Sequence, residues 1–330
     1  MSQGSRRPGE FDLIERYLAP LAKGERGAFL LKDDAAVLSP RPAHEFVLTA
    51  DCVVEGIHFL RNDPPADVAR KALRVNLSDL AAKGARPRAY LMTTAWPAWV
   101  DEQWVKEFAS GLAADQLAFG IHLIGGDTVS TPGPLSISIT AIGEVRRGKM
   151  LKRSGARSGD DIWVTGTIGD AGLGLAVSKE TVRSTAAAER FFLNRYRIPV
   201  PRCELGVRLG AIAHACIDVS DGLVADAGHL SEVSGVGIEI SSADVPVSDA
   251  ARALLGSAEV SIEFLLTCGD DYELAFAAPP STERRLRSLS RRLGVAITKI
   301  GKCRKKGAGV TVLAEDGRLL QFARSGFTHF

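Results

Sequence analysis

Acidic residues beside glycine or other small residues, at the ends of apolar runs, are where this sequence could do chemistry. KDDAAVL carries Asp33 and Asp34, TADCVVEGIHF carries Asp51, Glu55 and His58, and NLSDLAA carries Asn76 and Asp79. LIGGDT carries Asp127, IDVSDGL carries Asp218 and Asp221, and CGDDYEL carries Asp270, Asp271 and Glu273. Carboxylates gathered without partners repel one another, so several in one site require cations. Hard oxygen donors without clustered His or Cys select Mg²⁺, Ca²⁺ or Mn²⁺ rather than zinc. Mg²⁺ typically binds one or two carboxylates together with waters and phosphate oxygens, so an acidic, Gly-rich site points to a nucleotide. A single Asp beside Gly is more often a turn or a helix cap. The repetition of the pattern carries the reading.

Two details refine it. Asn76 and Asp79 are three apart and share one helical face. Ser220-Asp221-Gly222 reads as a helix start with Ser220 as N-cap. A helix N-terminus after a strand equally suits a phosphate.

Familiar alternatives fail. Gly143–Met150 reads GEVRRGKM, one residue short of a Walker A motif, with Met150 where a Ser or Thr must bind Mg²⁺. GTIGDAGLGL is glycine-rich but does not give GxGxxG, so a dinucleotide fingerprint is not supported. No GxSxG elbow or Ser/His/Asp order appears. Among six histidines only His58 lies in an acidic motif. RRLRSLSRR, Arg284–Arg292, reads as a solvated helix face without stacking aromatics.

These motifs must be positioned by about two domains, given 330 residues and a usual size of roughly 100–200 residues per domain. Hydrophobic residues at 45% and charged residues at 24% suit a globular chain and exclude a disordered one. Forty-one basic against 39 acidic residues, net +2, give no sign of a surface for nucleic acid. No apolar run is long enough for a membrane span. No apolar stretch follows the arginines of MSQGSRRPGEFDL, which argues against a secretory signal. Five widely spaced cysteines without a CxxC pair predict reduced thiols in a cytoplasmic protein.

Periodicity predicts helices over Phe11–Lys23, Ala66–Gly84, Asp101–Ala118, Cys203–Ala215, Gly222–Gly235 and STERRLRSLSRRLG. Strands are expected at Phe46–Ala50, Ala89–Ala95, Leu135–Gly143, DIWVTG, CIDVS, ELAFAAP, VAITKIG and GVTVL. The basic, aperiodic Glu144–Asp161 divides two α/β halves, residues 1–148 and 149–330.

Taken in order, the motifs listed above, together with GEFDLIERYLAP, KALRVNLSDLAAKGARP, LKRSGARSGDDIWVTGTIGDAGLGL and the terminal GFTHF, make the chain resemble the thiamine-monophosphate kinase family. The resemblance runs from Gly9 to Phe330, within the wider superfamily of aminoimidazole ribonucleotide synthetase. It implies an α/β (α+β) fold of two domains, the PurM-like fold, with the N-terminal domains pairing into a β-barrel across a homodimer. It implies ATP as co-substrate, several Mg²⁺ ions, and phosphoryl transfer to thiamine monophosphate giving thiamine diphosphate. Carried over residue by residue, the metal ligands fall on Asp34, Thr49, Asp51, Asp79, Asp127, Asp218 and Asp221. Nucleotide contacts fall on Gly126, Asp127, Arg153 and Ser220, and thiamine-monophosphate contacts on His58, Asp270 and Phe327. The acceptor is already a phosphate anion, so no general base is expected, and in-line transfer is assisted by the ligands Asp127 and Asp218. No nucleic-acid or membrane partner is implied.

The chain departs from the family pattern at three positions. Lys32 replaces the usual Gly before the Asp pair, Ala50 replaces a hydroxyl residue before Asp51, and Asp270 stands where Glu is also common. The alternatives are another ATP-dependent enzyme of the superfamily, or an inactive nucleotide-binding scaffold. A hydrogenase-maturation protein would need a C-terminal Cys, and selenophosphate synthetase a reactive Cys or Sec near the start. This chain ends in Phe330 and its first cysteine is Cys52.

Overall fold

A computed structural model describes residues 8–305, 307 and 309–328. The last two residues of the GFTHF motif therefore lie outside the described residues. The chain divides into two compact units, Met1–Leu80 with Ala85–Gly148, and Ala81–Gly84 with Lys149–Phe330.

The first unit opens with α1 (Glu10–Leu13), a π-helical turn over Ile14–Leu18 and 3₁₀ turns over Ala19–Ala22 and Arg26–Leu31. One continuous helix was expected over Phe11–Lys23. Pro20 lacks the amide hydrogen that such a helix needs, and the chain rewinds into other helix types around it. Then follow β1 (His44–Val54), α2 (Pro65–Ala82), β2 (Arg86–Trp96), α3 (Glu102–Phe119), β3 (His122–Ser130) and β4 (Ser136–Arg146). The sheet order is β1-β4-β2-β3, with β4 antiparallel to both neighbours and β3 parallel to β2. Asp101 caps α3 by accepting from the Trp104 amide at 2.8 Å, and Gly120 ends it in the left-handed region, φ 63°. One face of the sheet is buried through residues such as Val47, Met92, Ile137 and Ile139. Leu48, Leu91 and Val129 are exposed.

The second unit contains β5 (Asp161–Thr165), α4 (Asp170–Ser178), α5 (Ala186–Arg197), α6 (Cys203–Leu209), β6 (Ala215–Val219), α7 (Leu223–Ser234) and β7 (Gly237–Ser241). These are followed by α8 (Asp249–Gly256), α9 (Ile262–Thr267), β8 (Glu273–Ala278), α10 (Glu283–Leu293), β9 (Ile297–Arg304) and β10 (Val310–Leu313). The strands form one mixed sheet, β10-β7-β9-β5-β8-β6. β5, β6 and β8 are buried along their whole length. Alternate residues serve opposite cores: Ile162, Ile217 and Ala275 pack with Leu223, Ala227 and Leu230 of α7. Trp163, Cys216 and Phe276 pack with Leu205 of α6 and Leu286 of α10. Strands covered on both faces read as near-continuous apolar runs, broken here only by Asp218 in CIDV and Glu273 at the start of ELAFAA. The helix expected over Cys203–Ala215 stops at Leu209, because the chain is drawn into edge strand β6, where Ala215 pairs with Ala277. All five thiols are free, and no described helix is long and apolar enough to cross a membrane.

Candidate active site

In the first unit, α2 fastens its polar face to β1. The Thr49 hydroxyl donates to Asp79, and the Asp51 amide donates to Asn76 Oδ1 at 3.1 Å. Asn76 is itself anchored through its Nδ2, which donates to the Ala72 carbonyl at 3.0 Å. The expectation that Asn76 and Asp79 share a face therefore holds, and both face the same strand. His58 closes the turn after β1: its Nδ1 accepts from the Val54 amide at 3.0 Å, which places any ring proton on Nε2. Asp34 is exposed, and its amide donates to Asp33 Oδ1 at 2.8 Å. It follows a stretch with left-handed backbone at Phe29, Leu30 and Leu31.

Asp127 lies on edge strand β3, inside the strand rather than at its end. Its Oδ1 accepts from the Thr128 amide at 2.8 Å. Gly126 has φ 150° and lies so close to β2 that a Cβ there would meet the Met92 carbonyl oxygen at 1.8 Å. Only glycine lets the strand pass. Register places Asp127 opposite Thr93, in line with Ser138 and Cys52, whereas Thr49 and Asp51 belong to the alternate positions that face α2. Asp51 and Asp127 are thus on opposite faces and three strand spacings apart, roughly 14 Å across a flat sheet.

In the second unit the acidic loops converge. The antiparallel register of β6 and β8 pairs Val219 with Glu273, so the end of β6 lies beside the start of β8. Tyr272 donates its amide to the Val219 carbonyl at 2.7 Å, Asp270 to Ser220 at 2.8 Å, and Phe327 to Asp221 at 2.9 Å. Ser220, Asp221, Asp270 and Phe327 therefore share one backbone-bonded cluster, and Asp218 precedes it in β6, paired with Leu274. Asp218 is buried, Ser220, Asp221 and Asp270 are half-buried, and Phe327 is exposed. Arg153 is exposed, and its carbonyl accepts from the Ser234 hydroxyl at 3.2 Å.

The Ser220–Gly222 step differs from the expected cap. The N-cap of α7 is Gly222, with φ 123°, and no side chain caps it. Asp226 instead reaches back from the first turn. Its Oδ2 accepts the amides of Ser220, Asp221 and Gly222 at 2.9, 3.0 and 3.2 Å. Those amides are thereby withdrawn from phosphate binding. Burial pushes Asp226 up to about 8, and the charges of Asp218 and Asp221 add to the shift against the pull of the amides.

Behind β8 lies a second polar cluster. Asp271 is buried and accepts the amides of Gly169 and Ala171 at 2.8 and 3.3 Å, at the start of α4. Glu273 is fully buried; Arg202 binds both of its oxygens at 2.6 and 2.5 Å, and Arg195 binds Oε1 at 3.0 Å. This cluster holds the CGDDY loop in place. Sequence reasoning did not find Asp226, Tyr272 or the two arginines. The only available signal was an acid in the first turn of α7, which a helix dipole alone accounts for.

The donors assigned to cations are all oxygens, and the Asp218–Asp221–Asp226 crowding is of the kind that a divalent ion relieves, so the set fits Mg²⁺ chemically. Among the described residues, no group of three or more His, Cys, Asp or Glu side chains is arranged to hold a metal ion.

The sheet and helix order and the acidic loops define the class. A family model described as "AIR synthase related protein, N-terminal domain" matches residues 32–145, and its C-terminal counterpart matches residues 157–313. The chain is a two-domain protein of that type. The thiamine-monophosphate kinase of Caulobacter vibrioides is 41% identical over 98% of this chain and 91% of its own length. That of Salmonella typhimurium is 38% identical over 98% of both chains. The crystal structure of the Stenotrophomonas maltophilia thiamine-monophosphate kinase matches with TM-score 0.80 and 41% identity, covering 88% of this chain and 91% of that one. AaThiL complexed with AMPPCP and TMP matches with TM-score 0.77 and 32% identity, over 98% and 97% of the two chains. The chain belongs to the thiamine-monophosphate kinase family.

Proposed function

We propose that the chain transfers the γ-phosphoryl group of ATP to thiamine monophosphate, giving thiamine diphosphate and ADP. The observation that carries the site is the bonding of Asp270 and Phe327 to the carbonyls of Ser220 and Asp221. It joins the residues assigned to the substrate to the loop assigned to metal and nucleotide. The similarity to AaThiL, a protein complexed with AMPPCP and TMP, supports both ligands.

Asp34, Thr49, Asp51, Asp79, Asp127, Asp218 and Asp221 would hold Mg²⁺, which when bound neutralises phosphate charge. Arg153 and the Ser220 hydroxyl donate to the nucleotide phosphates. Gly126 lets the backbone approach closely. Asp270 faces the cationic heterocycle of the acceptor, Phe327 offers a ring for it to stack on, and His58 contributes a polar contact. No side chain needs to remove a proton, so catalysis is positioning together with charge neutralisation.

Residues 1–148 and 149–330 act as the two domains. The exposed Leu48, Leu91 and Val129 on the first unit's sheet support pairing of two copies through that face. The protein works in the cytoplasm.

The test is incubation of purified protein with ATP, Mg²⁺ and thiamine monophosphate, with free thiamine and aminoimidazole precursors in parallel. Thiamine diphosphate formation is expected; none above background overturns the reading. Light scattering in solution should give twice the chain mass of 35.2 kDa.

A further inference from the structure

We infer that Asp226 is a positioning residue for both the nucleotide and the thiamine side of the reaction, acting as the acceptor that sets the path of the Ser220–Gly222 loop. The inference rests on the kinase reading above.

One carboxylate oxygen takes three consecutive amides of the loop, at 2.9, 3.0 and 3.2 Å. The carbonyl side of the same loop is equally committed. Val219, Ser220 and Asp221 accept from Tyr272, Asp270 and Phe327 at 2.7, 2.8 and 2.9 Å. The packing leaves no slack: a Cβ on Gly269 would meet the Ser220 oxygen at 2.2 Å, and one on Gly326 the Asp221 oxygen at 2.5 Å. A shift of the loop is therefore passed on to all three segments.

Asp226 itself is held rigidly. Its amide donates to the Gly222 carbonyl at 3.0 Å, and it is buried on α7 between turns that fill the core with Leu223, Ala227 and Leu230. The helix is thus a fixed post from which one oxygen holds the loop. Asp218 and Asp221 stand beside it, so a further negative charge is not what the place needs. The required property is an acceptor at that point. A misplacement of about 1 Å at a reacting centre can cost about 10²-fold in rate.

The test compares the wild-type chain with Asp226→Asn, which keeps an oxygen in place, and Asp226→Ala, which does not. Amide hydrogen exchange over residues 219–223 and steady-state kinetics against both substrates are measured. Asp226→Asn should exchange like the wild type and keep kcat within a few-fold. Asp226→Ala should exchange at least about tenfold faster in that segment, consistent with lost hydrogen bonds. Its kcat should fall about 10²-fold and KM should rise for both substrates. A merely structural role would lower Tm and yield while leaving both KM values unchanged, and that result overturns the inference. It is equally overturned if Asp226→Asn loses as much as Asp226→Ala, since the charge, as in a metal ligand, would then be what matters. If the wild type makes no thiamine diphosphate the kinase reading fails, and the exchange comparison still decides what Asp226 does to the loop.

Discussion

The Tyr272 hydroxyl donates to Asp270 Oδ1 at 3.1 Å, and both residues hold left-handed backbone, φ 51° and 71°. Non-glycine residues there cost of order 1–3 kcal/mol each, and such outliers concentrate at functional sites. Tyr272→Phe removes the donor and keeps the ring. KM for thiamine monophosphate should rise about threefold to tenfold, the worth of one ordinary hydrogen bond, with KM for ATP unchanged. An equal rise for both substrates would refute a role confined to Asp270.

Asp127 is exposed, and the bond its Oδ1 accepts from the Thr128 amide at 2.8 Å can be kept by asparagine. Asp127→Asn should cut turnover by at least roughly 10²-fold, the scale seen on removing one electrostatic catalytic group. Thermal denaturation should give an unchanged or raised Tm. A large fall in Tm would make Asp127 structural.

Glu273 sits among Arg195 and Arg202 with none of its side chain exposed. Burial pulls the Arg195 guanidinium down, but Glu273, Asp271 and Asp170 hold it above its ordinary value. Glu273→Ala would leave two half-buried cations without the carboxylate that binds both, at about 3–5 kcal/mol. Urea denaturation of the two proteins side by side measures this; a difference under about 1 kcal/mol would place the cluster among dispensable surface pairs.

Glu144 accepts from Arg41 at 2.5 Å, with Arg88 at 3.4 Å. Burial opposes its ionisation, but the Arg41 side-chain and backbone bonds and the charges of Arg88 and Arg41 hold it below the usual carboxylate value. A lowered folded value adds stability above the unfolded value, about 4.3 for Glu, and that stability is lost as pH falls through the folded value. Glu144→Gln should therefore be less stable at neutral pH, and its urea midpoint should converge on the wild type's as pH drops below about 4. Parallel curves down to pH 3 would count against it.

The regular parts of this fold are legible where periodicity is strong and local. α2, α3, α7 and α10 fall within two residues of their expected limits because their apolar spacing and glycine stops agree. β3 was recognised only as an acidic motif, since paired glycines hide a strand. The helix from Cys203 was cut short by pairing of Ala215 with Ala277, a contact distant in sequence. In the site, Asp218, Asp221 and Asp270 stand out by type and setting, whereas Phe327 is singled out only by the family resemblance. Asp226 did not, because three amides meet its oxygen only once Gly222 has turned the loop at φ 123°. Arg195 and Arg202 were equally hidden, since their partner Glu273 lies on a strand that local patterning cannot link to them.

The bond from the Phe327 amide to the Asp221 carbonyl ties together two stretches of chain that lie far apart in sequence. The loop keeps its three amide bonds to Asp226 whether or not that contact is made. Closing it means bringing back a segment distant in sequence, which costs chain entropy. Local opening is therefore expected to release Phe327 before it loosens the Ser220–Gly222 loop.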